Sequence, residues 1–309
     1  MPRMIGNSEM AKLMDSVKSV VFSLTLLTSV FLDLHLADAQ QNTKREKGGA
    51  AVGGKGKYAT DNGLKLYYEI HGTLNGKSPP LILLHGGTST IETSFGKVLP
   101  LLAKSRQVIA LEQQGHGHTA DIDRPFSFEQ SADDTAALLQ NLKIAKADFY
   151  GYSNGGSIAM QVAIRHPKLV RKLIVASAMF KNDGFIPGFR EALRQATLES
   201  MPAEFREAYL KVAPNPQNIQ AFHDKSVRRM LEFQDWRPEE LQGINAPTMI
   251  LIGDADIIRP EHAVEMFRLI PQSQLAILPG TDHLSLVNRT DILSVMLPQF
   301  LDSPAPRNR

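Results

Sequence analysis

Ala147-Asp148-Phe149-Tyr150-Gly151-Tyr152-Ser153-Asn154-Gly155-Gly156-Ser157-Ile158-Ala159 is the stretch on which the fold turns. Ala147 to Tyr150 has the length and apolar character of a buried strand, and Gly155 to Arg165 carries a helical pattern. Between them, Gly151-Tyr152-Ser153-Asn154-Gly155 matches G-x-S-x-G. Composition alone produces such a pentapeptide in roughly one chain in ten of this length, so the flanking elements decide its meaning. A serine on a sharp strand-to-helix turn is held in a strained backbone conformation with its hydroxyl exposed. Small residues on either side let strand and helix approach closely. The competing reading is a glycine-rich turn without chemistry.

Working outward, Leu81 to Leu84, Val108 to Leu111, Leu173 to Ala176, Met249 to Ile252 and Leu275 to Leu278 are short apolar runs expected of strands buried on both faces. Asp61-Asn62-Gly63 before Leu64 to Ile70 predicts a hairpin turn. Helical patterns over Ser127 to Leu142 and Glu261 to Leu269 fall between strands. This alternation requires crossover connections, hence an α/β fold with a mostly parallel central sheet and helices on both faces. It breaks once, between about Lys181 and Asn245, where segments such as Phe189 to Ser200 and Ala203 to Val212 are separated by prolines. The expected organisation is therefore a core in two parts, residues 58–180 and 246–309, with a helical cap over residues 181–245.

A serine hydroxyl is a poor nucleophile at neutral pH, so a histidine must take its proton and a carboxylate must fix the imidazole tautomer. His283 follows the strand Leu275 to Leu278, and Asp254 and Asp256 close the strand Met249 to Ile252. All three fall where the C-terminal edge of the sheet presents them, and the chain order is serine, aspartate, histidine. His85-Gly86-Gly87-Thr88 directly follows Leu81 to Leu84. A glycine pair there lets backbone approach the serine, so the N–H groups of Gly87 and of Asn154, the residue after the nucleophile, are the expected oxyanion donors.

These motifs, with Gln114-Gly115-His116-Gly117 after another strand, make the chain resemble the α/β-hydrolase superfamily from about Tyr58 to Leu301. The closest likeness is to the capped branch containing enol-lactonases, carbon–carbon bond hydrolases, simple esterases and proline iminopeptidases. In that family the acid is usually the fourth residue of a G-x-x-D turn, which selects Asp256 over Asp254. The resemblance implies hydrolysis of a carboxylic ester or lactone by Ser153, His283 and Asp256. Carbon–carbon cleavage of a diketone-like substrate by the same triad is the alternative, and a non-catalytic ligand-binding member of the fold is a third reading. Departures limit the transfer of a substrate: Glu112-Gln113-Gln114 replaces a common aspartate, His118 a common arginine, and Thr88 the proline of iminopeptidases. A serine nucleophile separates the chain from haloalkane dehalogenases and epoxide hydrolases, which use aspartate there.

Within the expected cap, Phe222, Met230, Phe233 and Trp236 are candidates for substrate contact, against the plainer reading that they pack its helices. Water completes the reaction, so no metal or organic cofactor is implied, and His116 and His118 lack the further ligands a metal site needs. The chain of 309 residues carries 34 basic and 32 acidic residues, a balance that offers no nucleic-acid surface. Having no cysteine, it excludes disulfides and thiolate metal sites. Lys12 and Lys18 precede an apolar run from Ser19 to Leu32 and then Ala37-Asp38-Ala39. That is the order of a cleaved export signal over residues 1–39, and the run is too short for a comfortable membrane span. An uncleaved N-terminal anchor is the alternative. Residues 40–57, polar and rich in glycine and lysine, read as a linker.

Overall fold

Asn62 and Gly63 both take positive φ, 51° and 76°, as a two-residue turn with the right-handed twist of its strands requires. They join β1 (Lys57–Asp61) to β2 (Leu64–His71) in the expected antiparallel hairpin. The computed structural model describes residues 56–74 and 78–304. The expected export signal and the linker up to residue 55 lie outside the described residues, while Lys57 already belongs to β1.

The remaining strands are β3 (Leu81–Leu84), β4 (Val108–Glu112), β5 (Ala147–Tyr152), β6 (Val170–Ala176), β7 (Thr248–Ala255) and β8 (Ser273–Asp282). One sheet runs in the order β1-β2-β4-β3-β5-β6-β7-β8. Only the pairings of β2 with β1 and β4 are antiparallel, and those from β4 through β8 are parallel. The apolar runs of the central strands follow from this arrangement, since parallel strands inside a sheet are covered on both faces, but Leu275 to Leu278 lies on the edge strand β8, where Ile277 is 40% exposed.

Side chains alternate along each strand, so adjacent residues enter different cores. Ile82, Leu84, Phe149 and Val175 pack with α3 (Phe128–Asn141), α4 (Asn154–Arg165) and α9 (Pro260–Leu269). Leu81, Leu83, Tyr150 and Ile174 pack with α1 (Ile91–Phe95), α2 (Leu99–Leu102) and α10 (Thr290–Asp302). Ser127 caps α3 by accepting the Gln130 N–H, which sets where that helix begins.

Between β6 and β7 the chain is helical throughout: α5 (Phe189–Arg194), α6 (Ala203–Val212), α7 (Ile219–Leu231) and α8 (Pro238–Gln242), joined by short 3-10 turns. Phe126, Met201, Tyr209 and Phe222 form a small apolar cluster of their own within and beneath this segment. α8 behaves differently from α5 to α7. Its Leu241 and the following Ile244 are fully buried in the core shared with α4 and α9.

Strand order reverses at β3, whose neighbours β4 and β5 lie on opposite sides. In open α/β sheets the crevice at such a reversal, outside the carboxyl ends of the strands, is where ligands bind. The loop after β3 carries Gly87 and the turn after β5 carries Ser153, so both meet at that crevice.

Candidate active site

The turn from β5 into α4 is as tight as the pentapeptide implies. Ser153 has φ 54° and ψ −122°, a strained conformation for a residue with a side chain. A Cβ on Gly151 would collide with the Gly155 carbonyl, and one on Gly155 with the Leu84 carbonyl. Glycine at both positions is therefore a steric requirement of the strand–helix–strand contact.

His283 lies within hydrogen-bond distance of both Ser153 and Asp256 and links the two. His283 Nε2 is 3.0 Å from Ser153 Oγ, and its Nδ1 is 2.7 Å from Asp256 Oδ1. Asp256 also accepts the Ile258 N–H on Oδ1 at 3.0 Å and the Ser177 hydroxyl on Oδ2 at 2.5 Å. Burial alone would raise this carboxyl, but the hydrogen bonds from His283, Ile258 and Ser177 hold it below its ordinary value. An ionised Asp256 selects the tautomer with hydrogen on Nδ1, leaving Nε2 free to accept from Ser153. Asp254, by contrast, is exposed and accepts the Thr281 N–H.

Two further residues support the array without standing out in the sequence. Ser177, the first residue after β6, has φ 50° and places its hydroxyl on Asp256. Tyr152 donates its hydroxyl to the His283 carbonyl at 2.6 Å and so pins the loop that carries the histidine. A serine after a strand carries no mark of positive φ, and Tyr152 reads as an ordinary member of the pentapeptide.

Two buried histidines shape the loop after β3. His116 Nδ1 lies 2.8 Å from the Gln114 carbonyl and its Nε2 accepts the Thr88 N–H at 3.3 Å. His85 Nδ1 lies 2.7 Å from the Gly86 carbonyl and its Nε2 accepts the Gln113 N–H at 3.0 Å. Burial holds both imidazoles below their ordinary values, as acceptors of backbone N–H groups must be. Thr88 has φ 56°, unusual for a β-branched residue, and its hydroxyl donates to the Gly87 carbonyl. Among the described residues neither the Gly87 nor the Asn154 N–H has a hydrogen-bond partner, and both residues line the cavity that opens onto Ser153. The departures at Glu112 and His118 form a pair: Glu112 accepts from the His118 backbone and its ring, which stacks on Tyr67.

The cavity has a volume of about 880 Å3 and is bounded on one side by the sheet-edge loops and on the other by the helical segment after β6. Of the four proposed substrate contacts, Met230 lines it, together with Phe185, Phe189 and Phe205. The other three are placed elsewhere. Phe222 is buried edge-on to His116 and stacked on Tyr209. Phe233 and Trp236 pack edge-to-face on Phe128. Each of these three rings has aromatic partners away from the cavity, on Tyr209 and His116 for Phe222 and on Phe128 for Phe233 and Trp236, and those contacts hold them there.

Residues 79–221 match the family described as alpha/beta hydrolase fold. With this sheet order and serine turn, the chain has the α/β-hydrolase fold. It is 28% identical over 296 residues to the dihydrolipoyllysine-residue acetyltransferase component of an acetoin cleaving system from Pseudomonas putida, covering 86% of this chain and 71% of that protein. It is 26% identical over 256 residues to the human serine hydrolase BPHL, covering 78% of this chain and 84% of that one. Among solved structures, an enol-lactonase from Burkholderia xenovorans shares the fold with a TM-score of 0.63 at 22% identity, over 80% of this chain and 100% of the lactonase.

Proposed function

We propose that the protein is a serine hydrolase that cleaves a carboxylic ester or lactone through an acyl-enzyme. The observation that carries this reading is His283 bridging Ser153 and a buried, multiply hydrogen-bonded Asp256 at the floor of a cavity. Ser153 Oγ attacks the carbonyl carbon as His283 Nε2 takes its proton, and Asp256 stabilises the imidazolium. Negative charge passes to the former carbonyl oxygen, which the N–H groups of Gly87 and Asn154 receive. His283 returns the proton to the leaving alcohol, or to the alkoxide end of an opened lactone. Water, deprotonated by the same nitrogen, then releases the acid.

The helical segment after β6 acts as a cap that sorts substrates. Phe185, Phe189, Phe205 and Met230 form an apolar wall facing the serine, and such walls discriminate by roughly 1–3 kcal/mol per altered group. The resemblance to enol-lactonases and the serine hydrolase among the relatives support an acyl substrate.

A fluorophosphonate probe tests the nucleophile. Rapid stoichiometric labelling of Ser153, abolished with turnover in Ser153→Ala, is the expected result. Retention by the variant of more than about a tenth of kcat on every substrate would remove Ser153 from its role. Turnover of vinylogous diketones without turnover of aryl esters or lactones would replace ester hydrolysis by carbon–carbon cleavage.

A further inference from the structure

Arg229 on α7 is buried, 7% exposed, with Nε and Nη2 lacking any hydrogen-bond partner. Among the described residues no carboxylate pairs with it: burial is the sole cause that pulls its guanidinium down to about 10, so it stays charged at neutral pH. Aromatic rings flank it, with the guanidinium 5.6 Å from the Phe126 ring centre and 5.2 Å from that of Phe128. Ring faces return a small part of the lost hydration. A buried charge without a counter-ion is strongly unfavourable for folding, so its persistence calls for a partner that appears only during function.

Its position says where that partner arises. Arg229 Nη2 lies 3.5 Å from the point a Cβ on Gly87 would occupy, and the Asn154 side-chain amide crowds the same point. The guanidinium therefore stands beside Gly87, whose N–H is proposed to receive the oxyanion. Its helical neighbours Ser226, Val227 and Met230 line the cavity, but the guanidinium nitrogens Nε and Nη2 are sealed from solvent. A substrate carboxylate cannot reach those atoms without displacing the loop, whereas their electric field needs no contact and is weakly screened in so dry a place.

We infer that Arg229 is a positioning residue for the reaction, a fixed positive charge beside Gly87 that favours negative charge on the oxygen held by the Gly87 and Asn154 N–H groups. The same charge disfavours protonation of His85 and His116, after the larger effect of burial, and so keeps both rings as acceptors for the N–H groups that hold the loop. A preorganised charge of this kind lowers the barrier because it is already oriented when the oxyanion forms. This inference rests on the hydrolase reading above.

The test uses the full chain with Arg229→Met, which keeps length without charge, and Arg229→Lys, which keeps charge without the fork. Three quantities are read: kcat and KM on a neutral aryl ester, inhibition by phenylboronic acid, whose serine adduct is a tetrahedral anion, and the thermal midpoint. Arg229→Met is expected to lose about 10- to 100-fold in kcat with KM changed by less than about threefold, and to weaken boronate inhibition by a similar factor. Its thermal midpoint is expected to equal or exceed that of the parent, because an unpaired charge has gone. Arg229→Lys should recover most of the lost kcat.

Parental kcat and boronate inhibition in Arg229→Met would overturn the inference. So would a loss confined to carboxylate-bearing esters, which would make Arg229 a substrate anchor. A lowered midpoint with both variants equally impaired would make it a packing residue and overturn it as well. If Ser153 in the parent protein fails to label with fluorophosphonate, the hydrolase reading falls and this one with it; if Ser153 labels and Arg229→Met behaves as the parent, only this one falls.

Discussion

Asp256→Asn is the substitution for which the structure predicts both the size of the effect and its cause. Asp256 is 5% exposed and accepts two N–H groups on Oδ1, from His283 and Ile258, and one hydroxyl on Oδ2, from Ser177. An asparagine has two ways to fit. With its NH2 in place of Oδ1 it would face two donors; with its NH2 in place of Oδ2 it meets only a hydroxyl, which rotates to accept. The second arrangement wins, so the amide oxygen stays on His283 and the imidazole keeps hydrogen on Nδ1. What disappears is charge. An imidazolium and a carboxylate about 4 Å apart attract by about 4 kcal/mol at an effective dielectric of about 20. That corresponds to roughly a thousandfold in kcat, short of the roughly 10⁴-fold expected when the wrong tautomer is also installed. Asp254→Asn, on an exposed carboxylate held by backbone N–H groups, Thr281 foremost, and touching neither His283 nor Ser153, should change kcat by less than about twofold. Steady-state kcat on an aryl ester, with thermal melts to establish folding, compares the two. Retention of more than about a tenth of kcat by Asp256→Asn, or a larger loss in Asp254→Asn, would refute the reasoning.

Ser177→Ala removes the donor on Asp256 Oδ2 and should bring that carboxyl's pKa back up. A depressed folded-state pKa supplies stability above the unfolded value of about 3.9 that is lost as pH falls through the folded value. The variant should therefore begin acid unfolding at a higher pH than the parent, and coincident acid transitions would count against the role given to Ser177. His118 shows the opposite sign: its hydrogen bond to Glu112 raises its pKa despite partial burial, so its contribution is fully present below about 6.5 and fades as pH rises through the folded value. Urea melts of the parent and His118→Gln across that range should diverge most at the acid end, and a constant gap would dismiss the charge pair. At the N-terminus, cleavage after Ala39 is the expected outcome of the Ala37-Asp38-Ala39 reading, so mass spectrometry of exported protein should find Gln40 first, and recovery of Met1 or Pro2 would contradict it.

The centre of the sheet was legible because β3, β4, β5 and β6 are short, almost wholly buried and set off by turns, whereas β8 at the edge is longer and half-exposed. Leu81 to Leu84 begins and ends as the apolar run does, and Ala203 to Val212 is one uninterrupted helix between its prolines. Phe189 to Ser200, read as one helix, splits at Gln195 into α5 and a 3-10 turn, since nothing in its composition fixes the break. α10 contains Pro298, which masks a helix whose buried face still covers the sheet. At the site, Ser153, Asp256 and His283 could be placed because strand ends dictate where they project. Ser177, Tyr152 and Arg229 could not, because their relevance lies in contacts across 79, 131 and more residues of chain that no local pattern encodes. Aromatic content pointed to the helical segment as a wall but not to which rings face inward, and burial sent Phe222, Phe233 and Trp236 the other way.

Thr88 bears on how this lineage could change. A proline at that position would need φ near −65° and would supply no N–H, whereas the residue here sits at φ 56° and gives its N–H to His116. The link runs through the backbone, so any residue but proline can make it, and exchanging Thr88 for the iminopeptidase proline would leave the buried His116 Nε2 without its donor and force the loop bearing Gly87 into another path. A proline at position 88 therefore asks for a compensating change at His116, so the residue after the glycine pair and the residue two places into the Gln114-Gly115-His116 loop are expected to be exchanged together.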